Sequence, residues 1–166
     1  NNIYCDNADE TCCDITHRDN TYLEKLVSNY IENTHRNLVV ILAGSVSDTD
    51  HVEKIKTYLD NKDLPSKEYY KSAHKNTKDV LDIIEKYNDD RNIVYVTVAG
   101  QSNALSGVVA SNTHHPVIAC PPFKDKVDCM TNINSTIQCP SKVPVLACLE
   151  PVNVAMAIKS ILKNKK

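Results

Sequence analysis

Apolar runs of strand length alternate with helix-spaced segments along most of this chain, and that alternation restricts the fold more than any other feature. Leu38–Ala43 is followed by a segment opening at Ser47-Asp48, with Val52, Ile55, Tyr58 and Leu59 on one face. A short strand around Lys67–Tyr70 precedes a helix from about Asn76, with Val80, Leu81, Ile84 and Tyr87 directed inward. The run 92–99 leads to a helix near 102–111. Pro116–Cys120 ends at Pro121-Pro122, before a helical segment around 128–138 that stops at Pro140. Val143–Leu149 precedes a C-terminal helix from about Asn153 through Ile161-Leu162. Strands that are nearly all apolar need cover on both faces, which points to a parallel sheet between helical layers. Right-handed crossovers then predict an α/β, three-layer flavodoxin-like sandwich whose five-stranded parallel sheet is ordered 2-1-3-4-5.

Such a sheet binds ligands beyond the carboxyl ends of its strands, where the strand order reverses. Here that point falls between the first and third strands, and both end in glycine: Gly44-Ser45-Val46-Ser47-Asp48 and Gly100-Gln101-Ser102-Asn103. Only three glycines occur in 166 residues, where average usage near ~7% would supply about a dozen. Those retained at two strand ends mark strand-to-helix turns that let backbone N–H groups approach an anion. The second strand brings Ser72-Ala73-His74-Lys75 to the same rim.

Residues 1–18 are polar and read as a tail. Tyr22, Leu23, Leu26, Val27, Tyr30 and Ile31 then mark one amphipathic helix. The expected organisation is a tail and linker helix over 1–36 and one α/β domain over 37–166. The first residue is Asn rather than Met, so a processed product or a segment of a longer polypeptide is expected. A net charge of −2 argues against nucleic acid or a membrane surface as partner. No run approaches the length of a membrane span. Seven cysteines without a CxxC pair argue against structural zinc and for reduced thiols in a cytosolic protein.

The first turn holds two hydroxyls and a carboxylate, so Ser45, Ser47 and Asp48 can grip a phosphate and a sugar together; the alternative is an ordinary helix cap. His74 stands between Ser72 and Lys75, and beside an ammonium an imidazole keeps the neutral form that can take a proton. Gly100, Ser102 and Asn103 can position and polarise a ligand but supply no base; Ser102 and Asn103 can equally cap the next helix. His51 falls inside a helix, and His114-His115 precede a strand. There is no P-loop, GxGxxG, nucleophile elbow or HExxH.

Gly44-Ser45-Val46-Ser47-Asp48, Ser72-Ala73-His74-Lys75, Ala99 through Gly107 and Pro116 through Pro122, taken in order with Leu149-Glu150-Pro151-Val152-Asn153, resemble the aminoimidazole ribonucleotide (AIR) carboxylase family of purine biosynthesis. The resemblance covers about 38–163. One branch of that family is a mutase that moves a carboxylate from N5 to C4, with Ser-Ala-His-Arg and a second histidine in its third-strand loop. The other adds CO2 to AIR directly, with Ser-Ala-His-Lys and Gly-Arg-Ser-Asn. Lys75 and the lack of histidine between 99 and 109 resemble the direct carboxylase.

The resemblance implies His74 as the proton carrier and Ser45 and Asp48 on the ribotide. It also implies Ser72 and Lys75 on the phosphate or carboxylate, with Gly100 and Ser102 completing the site; Ser47 and Asn103 are further candidates. It implies no cofactor (no ATP, biotin or metal), a ring-like homo-oligomer such as an octamer, and in animal-type members fusion to a SAICAR synthetase domain. Gln101 stands where the branch usually has Arg, Lys142 where Gly is frequent, and Val127 at another frequent Gly. A non-catalytic nucleotide-binding or assembly module on the same fold is the rival reading, and a base beside a cation at the rim speaks against it.

Overall fold

A computed structural model describes residues 21–28 and 37–163. The chain divides into two units, 1–36 and 37–166. In the first, residues 21–28 form helix α1, whose Tyr22, Leu23, Leu26 and Val27 are exposed. The tail, and the extension of this helix through Tyr30 and Ile31, lie outside the described residues.

The second unit is built on five parallel strands: β1 (Leu38–Ala43), β2 (Ser66–Tyr70), β3 (Ile93–Val98), β4 (Val117–Ala119) and β5 (Leu146–Ala147). Their order is β2-β1-β3-β4-β5, as the alternation predicts. Helices α2 (Thr49–Asp60), α3 (Thr77–Asn88), α4 (Ala104–Asn112), α5 (Lys126–Ile137) and α6 (Pro151–Lys163) connect or follow them. Successive side chains of a strand point to opposite faces, and the central strands divide the core accordingly. Val39, Ile41, Val94 and Val96 pack with Ile55 and Leu59 of α2 and Ile158 of α6. Val40, Leu42, Ile93 and Tyr95 pack with Val80 and Ile84 of α3 and Leu105 and Val109 of α4. Truncation of the wholly buried Ile158 to Ala should destabilise the fold by roughly 2–5 kcal/mol. Urea unfolding at fixed protein concentration checks this, and a midpoint within error of wild type would show that α6 does not close the core.

The register sets the site. Ala43, the last residue of β1, pairs with Tyr70 on one side and Val98 on the other. The chain therefore leaves three adjacent strands at one level and on one rim.

Several expected details change. Tyr58 and Leu81, expected inward, are 39% and 37% exposed; the buried stripes are the narrower Val52-Ile55-Leu59 and Val80-Ile84-Tyr87. The last strand is two residues long rather than spanning 143–149. It has one neighbour and leaves Leu146 53% exposed, so cover on both faces fails at this edge. Pro151 opens α6 two residues earlier than expected, at the helical position where a missing N–H costs nothing. No glycine has a positive φ. Left-handed backbone falls instead on Asp63 (φ 56), Asn92 (φ 61), Gln101 (φ 55) and Lys142 (φ 70), the last where the resembled family often has Gly. Each costs about 1–2 kcal/mol that its surroundings must offset.

Candidate active site

Three strand exits and the start of α2 enclose a cleft of about 940 Å³ at the switch point. From β1, Gly44 hands over to a 3-10 turn, Val46–Asp48, capped by Ser45. Ser45 Oγ accepts from Ser47 N at 3.1 Å and from Ser47 Oγ at 2.8 Å, so the two hydroxyls are held side by side. Asp48 precedes α2 yet its side chain makes no cap hydrogen bond. Burial pushes its carboxyl pKa up, opposed in part by a hydrogen bond from the Ser45 backbone.

The β2 exit is shaped by Ser72. Its Oγ accepts from the backbone N–H groups of His74 (3.3 Å) and Lys75 (3.4 Å), and its carbonyl accepts from Asn76 N at 2.8 Å. Main-chain bonds therefore hold the loop and leave the His74 imidazole free to face the cleft. Lys71 bonds Asp79 of α3 at 2.6 Å, fastening the strand end below.

The β3 exit runs through Gly100, Gln101 and Ser102 into α4. Gly100 lies close under α5: a Cβ there would meet Asn132 Nδ2 at 3.3 Å, a tight contact. The cleft's remaining wall comes from the β4 exit, with Pro122 and Phe123, and from the N-terminal turn of α5, where Asp125 caps Val127 N and Asp128 N.

Of the sequence candidates, Ser45, Ser47, Asp48, Ser72, His74, Gly100 and Ser102 share this one cleft. Two do not line it. Asn103, expected on the ligand, is the N-cap of α4: its Oδ1 accepts from Ser106 N at 3.2 Å and its Nδ2 donates to Thr136 Oγ1 at 2.9 Å. Lys75 follows His74 on the rim but is not part of the cleft wall.

The cleft also holds groups that sequence reasoning left out. His51, read only as internal to a helix, lies on the wall with Nε2 3.3 Å from Cys120 Sγ. Burial, and then the nearby Lys54, lower its pKa, so it is neutral at pH 7. Cys120 is pushed up to about 12 by burial and remains a thiol. Position was the available signal, because His51 falls three residues after Asp48, in the first turn that follows the Gly44 loop. Lys54 and Lys124 bring cations to the cleft, and Asn132 of α5 reaches it from 32 residues beyond Gly100.

A parallel α/β sandwich that gathers hydroxyls, a carboxylate and an imidazole at its switch point has the flavodoxin-like architecture. The chain belongs to the AIR carboxylase family, an enzyme family of purine biosynthesis whose sequence model matches residues 38–166. It is 44% identical over 126 residues to the phosphoribosylaminoimidazole carboxylase of Archaeoglobus fulgidus, covering 76% of this chain and 69% of that protein. It is 38% identical over 126 residues to a bifunctional phosphoribosylaminoimidazole carboxylase/phosphoribosylaminoimidazole succinocarboxamide synthetase of Drosophila melanogaster, covering 75% of this chain and 29% of that protein. The crystal structure of Treponema denticola PurE superposes with a TM-score of 0.73 at 36% identity, over 79% of this chain and 83% of that one.

Proposed function

We propose that this protein carboxylates AIR at C4 directly with CO2, giving the 4-carboxy ribotide. The observation that carries this reading is the third-strand loop at the cleft: Gly100-Gln101-Ser102 faces the ligand space without a histidine, in a chain whose second-strand loop reads Ser72-Ala73-His74-Lys75. The mutase branch resembled in sequence carries a second histidine there.

AIR's C4 is the electron-rich carbon of an enamine. Its π electrons attack the carbon of CO2, a C–O π pair moves onto oxygen as carboxylate, and C4 becomes tetrahedral with a cationic amidine beside it. His74 then takes the C4 proton, and the C–H pair restores the aromatic ring. The remaining work is positioning. Ser45, Ser47 and Asp48 hold the ribotide at β1, with Ser72 on its phosphate or on the new carboxylate. Gly100 and Ser102 border the CO2. The reading needs no cofactor. It places the protein in the cytoplasm as a homo-oligomer, an octamer by resemblance. Apolar side chains exposed on α5 and β5 (Val127, Met130, Ile137, Leu146) suit burial between copies. Joining to a SAICAR synthetase domain, as the name of the Drosophila relative describes for that protein, belongs to the same proposal.

The test uses freshly made N5-carboxylated isomer with free CO2 kept low, and separately AIR with CO2 raised and no ATP. Product formed only when CO2 is raised is the expected result. Rapid conversion of the N5 isomer at low CO2 would make the protein a mutase despite Lys75.

A further inference from the structure

Helix α5 turns a buried polar face toward the third-strand loop. Asn132, 2% exposed, accepts from Gln101 N at 2.6 Å through Oδ1. Its Nδ2 donates to Pro122 O at 2.7 Å and, more loosely, to Asp128 Oδ1 at 3.4 Å. Three and four residues on, Ser135 Oγ accepts from Asn103 N at 2.6 Å and Thr136 Oγ1 accepts from Asn103 Nδ2 at 2.9 Å. Residues at this spacing share one helix face, so one face of α5 holds the loop at successive points. Both ends of the Asn132 amide are engaged by protein, and its influence on a ligand runs through the loops it ties. Those loops leave different strands: Gln101 follows β3 and Pro122 follows β4. Gln101 is held at φ 55, a conformation that a non-glycine residue keeps when its surroundings impose it.

We infer that Asn132 is a positioning residue that sets the geometry of the carboxylate end of the cleft by clamping Gln101 to Pro122. The inference rests on the proposed function, in which this loop borders the CO2 and the carboxylate it becomes. Released from Asn132, Gln101 relaxes toward ordinary backbone and the Gly100–Ser102 donors move off the carboxylate. The Ser45–Asp48 turn, on β1 and α2, keeps its grip on the ribotide. The consequence is selective: discrimination between carboxylated and uncarboxylated ribotide falls while affinity for the uncarboxylated one persists.

The C4-carboxylated ribotide is the product of both carboxylase and mutase chemistry, so its binding tests the clamp whichever branch is correct. Calorimetric titration of the full chain with AIR and with that product compares wild type with Asn132→Ala. The expected result is product binding weakened by about tenfold, the worth of one charge-assisted hydrogen bond, with AIR binding changed less than about twofold. Ser135→Ala alters the same loop from a side chain outside the cleft wall. It should show a smaller loss in the same direction, and it carries the test if the Asn132 variant fails to fold. Equal losses for both ribotides, or none for either, would overturn the positioning role while leaving the function reading intact. Wild-type protein that binds neither ribotide would remove both.

Discussion

Replacing His74 with Asn should leave ribotide binding near its wild-type value and lower turnover by about 10²–10⁴-fold, the usual worth of a positioned proton-transfer group. That corresponds to roughly 3–5 kcal/mol of transition-state stabilisation. The amide of Asn approximates one edge of the imidazole and can hydrogen-bond, but it cannot take the C4 proton at neutral pH. The fold has little to lose. His74 is exposed, and the bonds that shape its loop run from backbone N–H groups to Ser72 Oγ and Ser72 O. Circular dichroism and AIR titration should therefore match wild type while CO2-dependent consumption of AIR collapses. Turnover within a few-fold of wild type would remove His74 from the chemistry and shift attention to His51, the other imidazole on the cleft wall.

What could be read from sequence was what short-range pattern controls. β1 and β3 are legible because both are buried on two faces, so their residues are nearly all apolar and each run stops where the chain must turn. Two such strands with helical crossovers determine the switch point, and hence the rim on which Ser45, Asp48, His74 and Gly100 meet. Tyr58 and Leu81 misled because they lie at the margin of a helical stripe, where spacing allows burial and the neighbouring elements decide it. β5 misled because edge strands end where pairing ends, and pairing is not written in composition.

The missed site residues share a different cause. Asn132 looks like an ordinary polar residue of a weakly amphipathic helix. Its role depends on Gln101, 31 positions away, arriving at its amide. The same holds for His51, whose partner Cys120 follows β4, two crossovers later. Asn103 shows the converse: its pattern allowed both a ligand contact and a cap, and packing against Thr136 and Ser106 spends its polar atoms on the cap.

Asp48→Ala is expected to raise the Michaelis constant for AIR by roughly 10²-fold, with turnover at saturation little changed. Two charge-assisted hydrogen bonds to sugar hydroxyls, at about 1.5 kcal/mol each, amount to that factor. The competing view, that Asp48 is a helix cap, predicts a loss of stability and an unchanged Michaelis constant. Asp48 occupies the cap position of α2 without making a side-chain cap bond, which speaks against the cap. Its carboxyl, pushed up from 3.8 by burial, binds its proton more tightly in the folded chain than in the unfolded one. Stability on its account therefore falls as pH rises from the unfolded value through the folded one. At neutral pH the Ala variant should consequently be at least as stable as wild type. Ligand binding runs the other way. The ionised carboxylate accepts from two hydroxyls through charge-assisted bonds that the protonated acid lacks, so affinity for AIR weakens as pH falls through a pKa above the ordinary carboxylate value. Asp48→Asn isolates this step: its AIR affinity should be weak at neutral pH and flat across the acid range where wild type falls. An Asn variant that keeps the wild-type acid limb would show that another group titrates there and that Asp48 does not hold the sugar.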